Sequence, residues 1–104
     1  LDQYIIIRTR FFDKNKLKYK NYATDIYSSS IEVSKLAAII EILLKKNFKG
    51  VINIGDLKDS NFNKAIIHNS KIKPCKYKDV VKNIKFTISK DSSMNLSKMK
   101  SVIK

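Results

Sequence analysis

At 104 residues the chain is one domain or a piece of one, and its 43% hydrophobic content supports a modest core. The net charge of +13 attracts phosphates, nucleic acid or an anionic surface. A single cysteine, Cys75, excludes an internal disulfide, and one Cys with one His (His68) and no acidic cluster beside them excludes a zinc site. All the cations except Arg8 and Arg10 are lysines, spread along the whole chain beside abundant Ile and Asn. That is the bias of an AT-rich genome, and it also describes a solvated surface. No apolar run reaches the ~20 residues of a membrane-crossing helix. No stretch reads as a secretory leader, so a cytoplasmic location and no membrane partner are expected.

"YIIIRT" (4–9) is continuous, β-branched and short, which predicts a strand buried on both faces. Such a strand belongs inside a parallel sheet, and the chain offers it few partners. Together with a start at Leu1, this leads us to expect a fragment of a longer protein. The lysine-rich stretch 13–22, with Leu17, Tyr19 and Tyr22 interleaved, predicts an exposed loop.

"SSIEVSKLAAIIEILLKKN" (29–47) predicts a substantially buried helix. Ser29 and Glu32 have capping-box spacing, Val33, Leu36, Ala37, Ile40, Leu43 and Leu44 recur at helical intervals, and Lys45 and Lys46 suit the C-terminal end. Gly50 then allows a turn. "GVINIG" (50–55) predicts a second short strand, and "SNFNKAIIHN" (60–69) a helix capped by Ser60 or Asn61 with Phe62, Ala65, Ile66 and Asn69 inward. Pro74 keeps 71–76 extended. "YKDVVKN" suits one helical turn, "FTISK" (86–90) is extended or loop, and 94–104 is a last helix capped by Asn95 with Leu96, Met99 and Val102 or Ile103 inward.

This order of motifs resembles one family. "IIIRT", then "TDIYSSS" before a long apolar helix, then "KGVINIG", "SNFNKA", "KPCKYKDV" and "KDSSMNLSKMK" follow the arrangement of an extended short-chain dehydrogenase/reductase acting on nucleotide sugars. Within the NAD-dependent epimerase/dehydratase superfamily the sequence is most similar to the dTDP-4-dehydrorhamnose reductase-like group. "GVINIG" resembles the family's G-V-Y-N-[IV]-G, and "SSMNLSK" its S-S-L-[DN]-x-S-K. The resemblance covers nearly the whole chain.

It implies an α/β fold: the C-terminal, substrate-binding part of a Rossmann-like enzyme with the cofactor-binding half absent. Residues 1–12 would be the last part of the sheet and 13–104 a small substrate domain. The family's G-x-G-x-x-G turn is missing. So is its Tyr-x-x-x-Lys pair: the residues four beyond Tyr4, Tyr19, Tyr22, Tyr27 and Tyr77 are Arg8, Ala23, Ile26, Ile31 and Val81. No catalytic residue is therefore assigned. NAD or NADP would be held by the full-length protein and not by this chain alone.

By the same resemblance Arg8, Thr9, Arg10, Phe11, Asp25 and Tyr27 are the candidate substrate-binding residues. A guanidinium offers phosphate or carboxylate a planar fork that lysine lacks. The bland alternatives are that Arg8 pairs with Asp25 or Asp13 at a strand end, and that Asp25 orders its own loop. His68 reads as a helix-surface residue. Cys75 beside Lys76 is either a half-buried thiol or one with some thiolate character. Asp91, Ser92 and Ser93 read as a turn.

The expected function is sugar-nucleotide binding on behalf of an NAD(P)-dependent reductase or epimerase. The expected partners are a nucleotide sugar and the missing N-terminal domain, with a homodimer left open. The alternative is a non-catalytic basic module for RNA or a structural partner. The charge favours RNA, and the lack of an RNA-recognition motif opposes it. Tyr19 and Tyr22 among Lys16, Lys18 and Lys20 suit either a nucleotide base or a solvated loop.

Overall fold

The computed structural model describes residues 4–82 and 88–104. It is a mixed α/β structure. Strand β1 (Ile5–Thr9) pairs in parallel with β6 (Gly50–Ile54), Ile7 opposite Ile52 and Thr9 opposite Ile54. Helix α1 (Val33–Lys45) lies in the connection between them, as a parallel pair requires. Three small pairings surround this unit. β2 (Phe11–Phe12) runs parallel to β5 (Ile31–Glu32), and β3 (Asn21–Ala23) parallel to β8 (Lys73–Cys75). β4 (Tyr27–Ser28) is antiparallel to β7 (Asp59–Ser60). Helices α2 (Asn61–Ile66), α3 (Tyr77–Val81) and α4 (Ser97–Val102) complete the chain.

The core is formed by Ile31, Leu36, Leu43, Ile52, Ile54, Leu96 and Met99, with Ile7, Ile39, Ile40 and Phe48 against it. The radius of gyration is 15.5 Å, above the ~13 Å of a compact domain of about 100 residues. An elongated chain leaves faces uncovered, and β1 shows one. Ile5, Ile7 and Thr9 turn inward, but Tyr4, Ile6 and Arg8 are exposed. The expectation of a strand buried on both faces is therefore corrected: β-branched residues mark a strand, but they do not say whether both its faces are covered. Helix α1 is likewise less buried than its composition predicts. Only Leu36 and Leu43 are fully buried, while Val33, Ala37 and Leu44 face outward.

The start of α1 is also corrected. Strand β5 holds Ile31 and Glu32 extended against β2, so the helix cannot begin before Val33. Its cap is Glu32, whose carboxylate accepts from the Ser34 amide at 3.1 Å. Ser29 instead accepts from the Met94 amide through Oγ at 2.9 Å and from the Asp56 amide through its carbonyl at 2.9 Å. The helix ends in a Schellman motif. The Phe48 amide donates to Leu43 O at 3.0 Å and the Asn47 amide to Leu44 O at 3.1 Å, with Asn47 at φ 55°. Asparagine supplies the left-handed residue here, three positions before the expected turn at Gly50.

Helix α2 is capped by Ser60, whose Oγ accepts from the Asn63 amide at 3.1 Å. Ala65 is buried and Asn69 faces outward, not inward. The extended segment at Pro74 is β8, and the single turn expected after it is α3. Part of the expected 86–90 segment lies outside the described residues. The last helix is shorter than its pattern, and Asn95 does not cap it. Asn95 Oδ1 accepts from the Ser97 amide and hydroxyl at 2.9 and 2.7 Å, within the first turn, while Leu96 occupies the cap position.

Candidate functional site

The alternation of β1 places Arg8 and Arg10 on one side and Thr9 on the other. Thr9 Oγ1 is buried with no hydrogen-bond partner among the described residues. Arg8 forms no ion pair with Asp25 or Asp13 and is exposed. Arg10 reaches across the molecule: its Nη1 donates to Ser92 Oγ at 3.1 Å.

That contact belongs to a junction of four segments. The Ser92 amide donates to Tyr27 O at 2.9 Å, and the Tyr27 amide donates to Lys90 O at 2.7 Å. Lys58 lies 2.6 Å from Asp91 Oδ2 and 5.5 Å from the centre of the Tyr27 ring. The Lys58 ammonium and the Ser93 donors hold the Asp91 carboxyl well below the usual carboxylate range. Arg10 O accepts from the Ile31 amide at 3.0 Å, which fixes the guanidinium's backbone to β5. The structure thus links Arg10 to Tyr27 through Ser92. Asp25 is elsewhere: its Oδ1 accepts from the Tyr77 amide at 2.7 Å at the start of α3. It orders a distant connection, not its own loop.

Ser92, Asp91 and Lys58 were not legible as site residues from sequence. The available signal was the "SSMNLSK" motif that contains Ser92, read there only as a turn. Cys75 is a half-buried thiol. Burial pushes its thiol upward, and the neighbouring Asp79 and Asp25 push it further.

Two hollows flank the β2 strand. One, of about 110 Å³, lies between the start of α1 and α2. Its lysines are engaged internally: Lys35 pairs with Asp56 at 3.2 Å, and Lys64 Nζ donates to Ser30 O and Leu57 O at 2.9 and 3.0 Å. Burial pushes the Lys64 ammonium below the ordinary lysine range. Burial pushes Asp56 the other way, but the Leu57 amide and Lys35 outweigh it and leave the carboxyl below its ordinary value. The other hollow, of about 370 Å³, is lined by Phe11, Lys16, Leu17, Lys18, Tyr19 and Tyr22 among others. Exposed aromatic faces and lysines make it the more hospitable of the two to a ligand.

No family model and no curated protein matches the chain. A solved structure does. The backbone follows that of a hypothetical dTDP-4-dehydrorhamnose reductase from Sulfolobus tokodaii. The TM-score is 0.72 at 25% identity, over 97% of this chain and 42% of that one. The chain therefore shares a reductase-like scaffold and spans less than half the length of that neighbour.

Neither of the two glycines forms a dinucleotide-binding turn. Gly50 opens a strand, and Gly55 is packed so closely that an added Cβ would lie 2.5 Å from Ser29 O. Neither sits at a strand-to-helix turn that could cradle a pyrophosphate. Among the described residues no group of three His, Cys, Asp or Glu could hold a metal ion, and no helix is long and apolar enough to cross a membrane.

Proposed function

We propose that the chain is the sugar-nucleotide-binding, C-terminal segment of an NAD(P)-dependent nucleotide-sugar reductase or epimerase, and that it is not catalytic alone. The observation that carries this is the match to a reductase structure along 97% of this chain but only 42% of the neighbour. Tyr4 and Ile6, 45% and 50% exposed on the outer side of β1, leave apolar surface that a longer protein would cover. The Arg10–Ser92–Tyr27 junction supports the substrate side. It holds a guanidinium at the exit of a parallel strand, the end at which open α/β sheets bind ligands. In this reading Arg10 pairs with the diphosphate, Arg8 stands beside it on the same side of the strand, and Phe11 flanks the ligand. The nicotinamide, the acid and the base come from the remainder of the protein.

Calorimetric titration with dTDP-glucose and UDP-glucose tests it. Binding that weakens at least tenfold in Arg10→Ala is expected. Binding indifferent to Arg10, or none at millimolar ligand, would count against it. The +13 charge favours a second reading, a basic module for RNA. Affinity for random RNA above that for nucleotide sugars at 150 mM salt would favour it.

A further inference from the structure

The cations of this chain are unevenly neutralised. Lys18, Lys20, Lys71, Lys73, Lys76 and Lys78 are all exposed, and the fold gathers them around one ribbon. Strand β3 runs parallel to β8 with Asn21 opposite Lys73, and the Lys73 amide donates to Lys20 O at 2.9 Å. The Thr24 amide donates to Cys75 O at 3.0 Å, and Lys76 Nζ donates to Thr24 Oγ1 at 2.9 Å. Ile72 is buried between Lys71 and Lys73, so the alternation of an extended chain turns both lysines outward.

Carboxylates do not answer this charge. The ion pairs among the described residues, Lys35–Asp56, Lys45–Glu41 and Lys58–Asp91, all lie elsewhere. Within 18–25 and 71–79 the acidic residues are Asp25 and Asp79, and both are engaged by backbone. Asp25 Oδ1 accepts from the Tyr77 amide at 2.7 Å, and Asp79 Oδ2 from the Lys76 amide at 3.2 Å. The surface around β3 and β8 therefore keeps a strong positive field. What it carries besides charge selects the partner. Lysine is depleted at protein interfaces, whose centres favour aromatic residues, Met and Arg. Within the two stretches Tyr19 alone is a large exposed hydrophobic, at 66% exposure. One ring is too little for a protein hot spot, but it is what one stacked base requires. The ring is also held in place: the Tyr19 amide donates to the Tyr22 hydroxyl at 3.4 Å, and the two rings meet edge-on with centres 5.8 Å apart. Unpaired bases can use such a platform, whereas a duplex keeps its base faces stacked inside.

We propose that the β3–β8 ribbon is a docking surface for single-stranded nucleic acid: its six lysines neutralise phosphates along the strand, and Tyr19 stacks one base. The surface goes beyond the nucleotide-sugar reading and shares no residue with the Arg10–Ser92–Tyr27 junction.

The test is fluorescence anisotropy of a labelled dodecauridylate titrated with the whole chain between about 50 and 200 mM salt. Each phosphate contact on a single strand contributes about −0.7 to the slope of log affinity against log salt. Lys71→Ala with Lys73→Ala should make that slope shallower by about 1.4 and weaken binding by about tenfold or more. Lys49→Ala with Lys100→Ala removes the same charge from exposed positions outside the ribbon and should change binding by less than about twofold. Tyr19→Leu should weaken binding by about tenfold, the loss of one stacked base, and leave the salt slope unchanged. All these side chains are exposed, so circular dichroism of the variants should match that of the parent chain.

Equal losses in the two double variants would overturn the proposal, because the whole surface would then act as a diffuse polycation. Indifference to Tyr19→Leu would overturn it too, as would a duplex of the same length that binds as tightly. Polyglutamate or phosphatidylserine vesicles binding as tightly as the dodecauridylate would show that the ribbon answers to negative charge alone, and would assign it to an acidic protein or a membrane instead. The two readings also fail separately. If UDP-glucose binds through Arg10 while the dodecauridylate ignores the ribbon variants, the docking surface alone is wrong. If the dodecauridylate binds Arg10→Ala as it binds the parent chain and no nucleotide sugar binds, the nucleotide-sugar reading is wrong and the docking surface stands.

Discussion

Arg10 and Ser92 are 82 residues apart in sequence, yet the Arg10 guanidinium donates to the Ser92 hydroxyl at 3.1 Å. This contact closes the strand exit against the segment before α4. Both residues stand near the surface, so the bond contributes little to stability. Arg10→Ala should shift unfolding by less than about 1 kcal/mol in denaturant titration while weakening nucleotide-sugar binding. Arg10→Lys should not restore that binding, because an ammonium lacks the fork. Full rescue by lysine would show that charge alone is used.

Gly55 is required by space. A Cβ there would meet Ser29 O at 2.5 Å, with Met94 Cε and Ser29 Cβ both at 3.1 Å. The nearest atom is backbone and belongs to a carbonyl that accepts from Asp56, so it cannot swing aside. Gly55→Ala should cost about 1–3 kcal/mol, read as a lowered melting temperature. An unchanged melting temperature would mean that the Ser29 segment yields easily.

Asn47 carries the left-handed residue at the end of α1, at φ 55°. Asn47→Gly should be neutral or mildly stabilising, since glycine adopts this conformation freely. Asn47→Val should lose roughly 1–2 kcal/mol or more, because a β-branched Cβ clashes there. Equal stabilities for the two variants would refute the Schellman ending.

Asp91 gives a pH dependence of known sign. Its carboxyl is held below the ordinary value by Lys58, then by Ser93. A carboxylate depressed on folding contributes stability that is fully present above the unfolded-state value of about 3.9. That contribution fades as the pH falls below this value toward the depressed one. An NMR titration should find the Asp91 midpoint below the unfolded-state value, and Lys58→Ala should raise it. A midpoint that ignores Lys58 would contradict the 2.6 Å pairing.

The Ser60 cap is local and separable. Ser60→Ala removes the acceptor of the Asn63 amide and should cost about 1 kcal/mol. Ser60→Asp should retain most of that stability. Thermal unfolding of the pair checks it.

The amino-acid sequence by itself determined the succession of elements. β-branched runs at 5–9 and 50–54, helical spacing from Leu36 to Leu43, Ser60 before α2 and Pro74 before α3 act through local sterics and local hydrogen bonds. They can be read without knowing what lies across the chain. The motif order likewise pointed to the reductase-like scaffold. Tertiary structure decided which faces are covered and which distant groups meet. Ser29 was spaced to cap α1, but pairing of Glu32 with Phe12 in β5 moved the cap to Glu32 and sent Ser29 to Met94. Arg10 was visible as an unusual cation, but its partner Ser92 was not. Asp25 lay near the expected site in sequence and packs at Tyr77 instead. In each case the outcome depended on chain segments tens of residues away, whose approach is set by burial of the shared core and is not encoded in any short window.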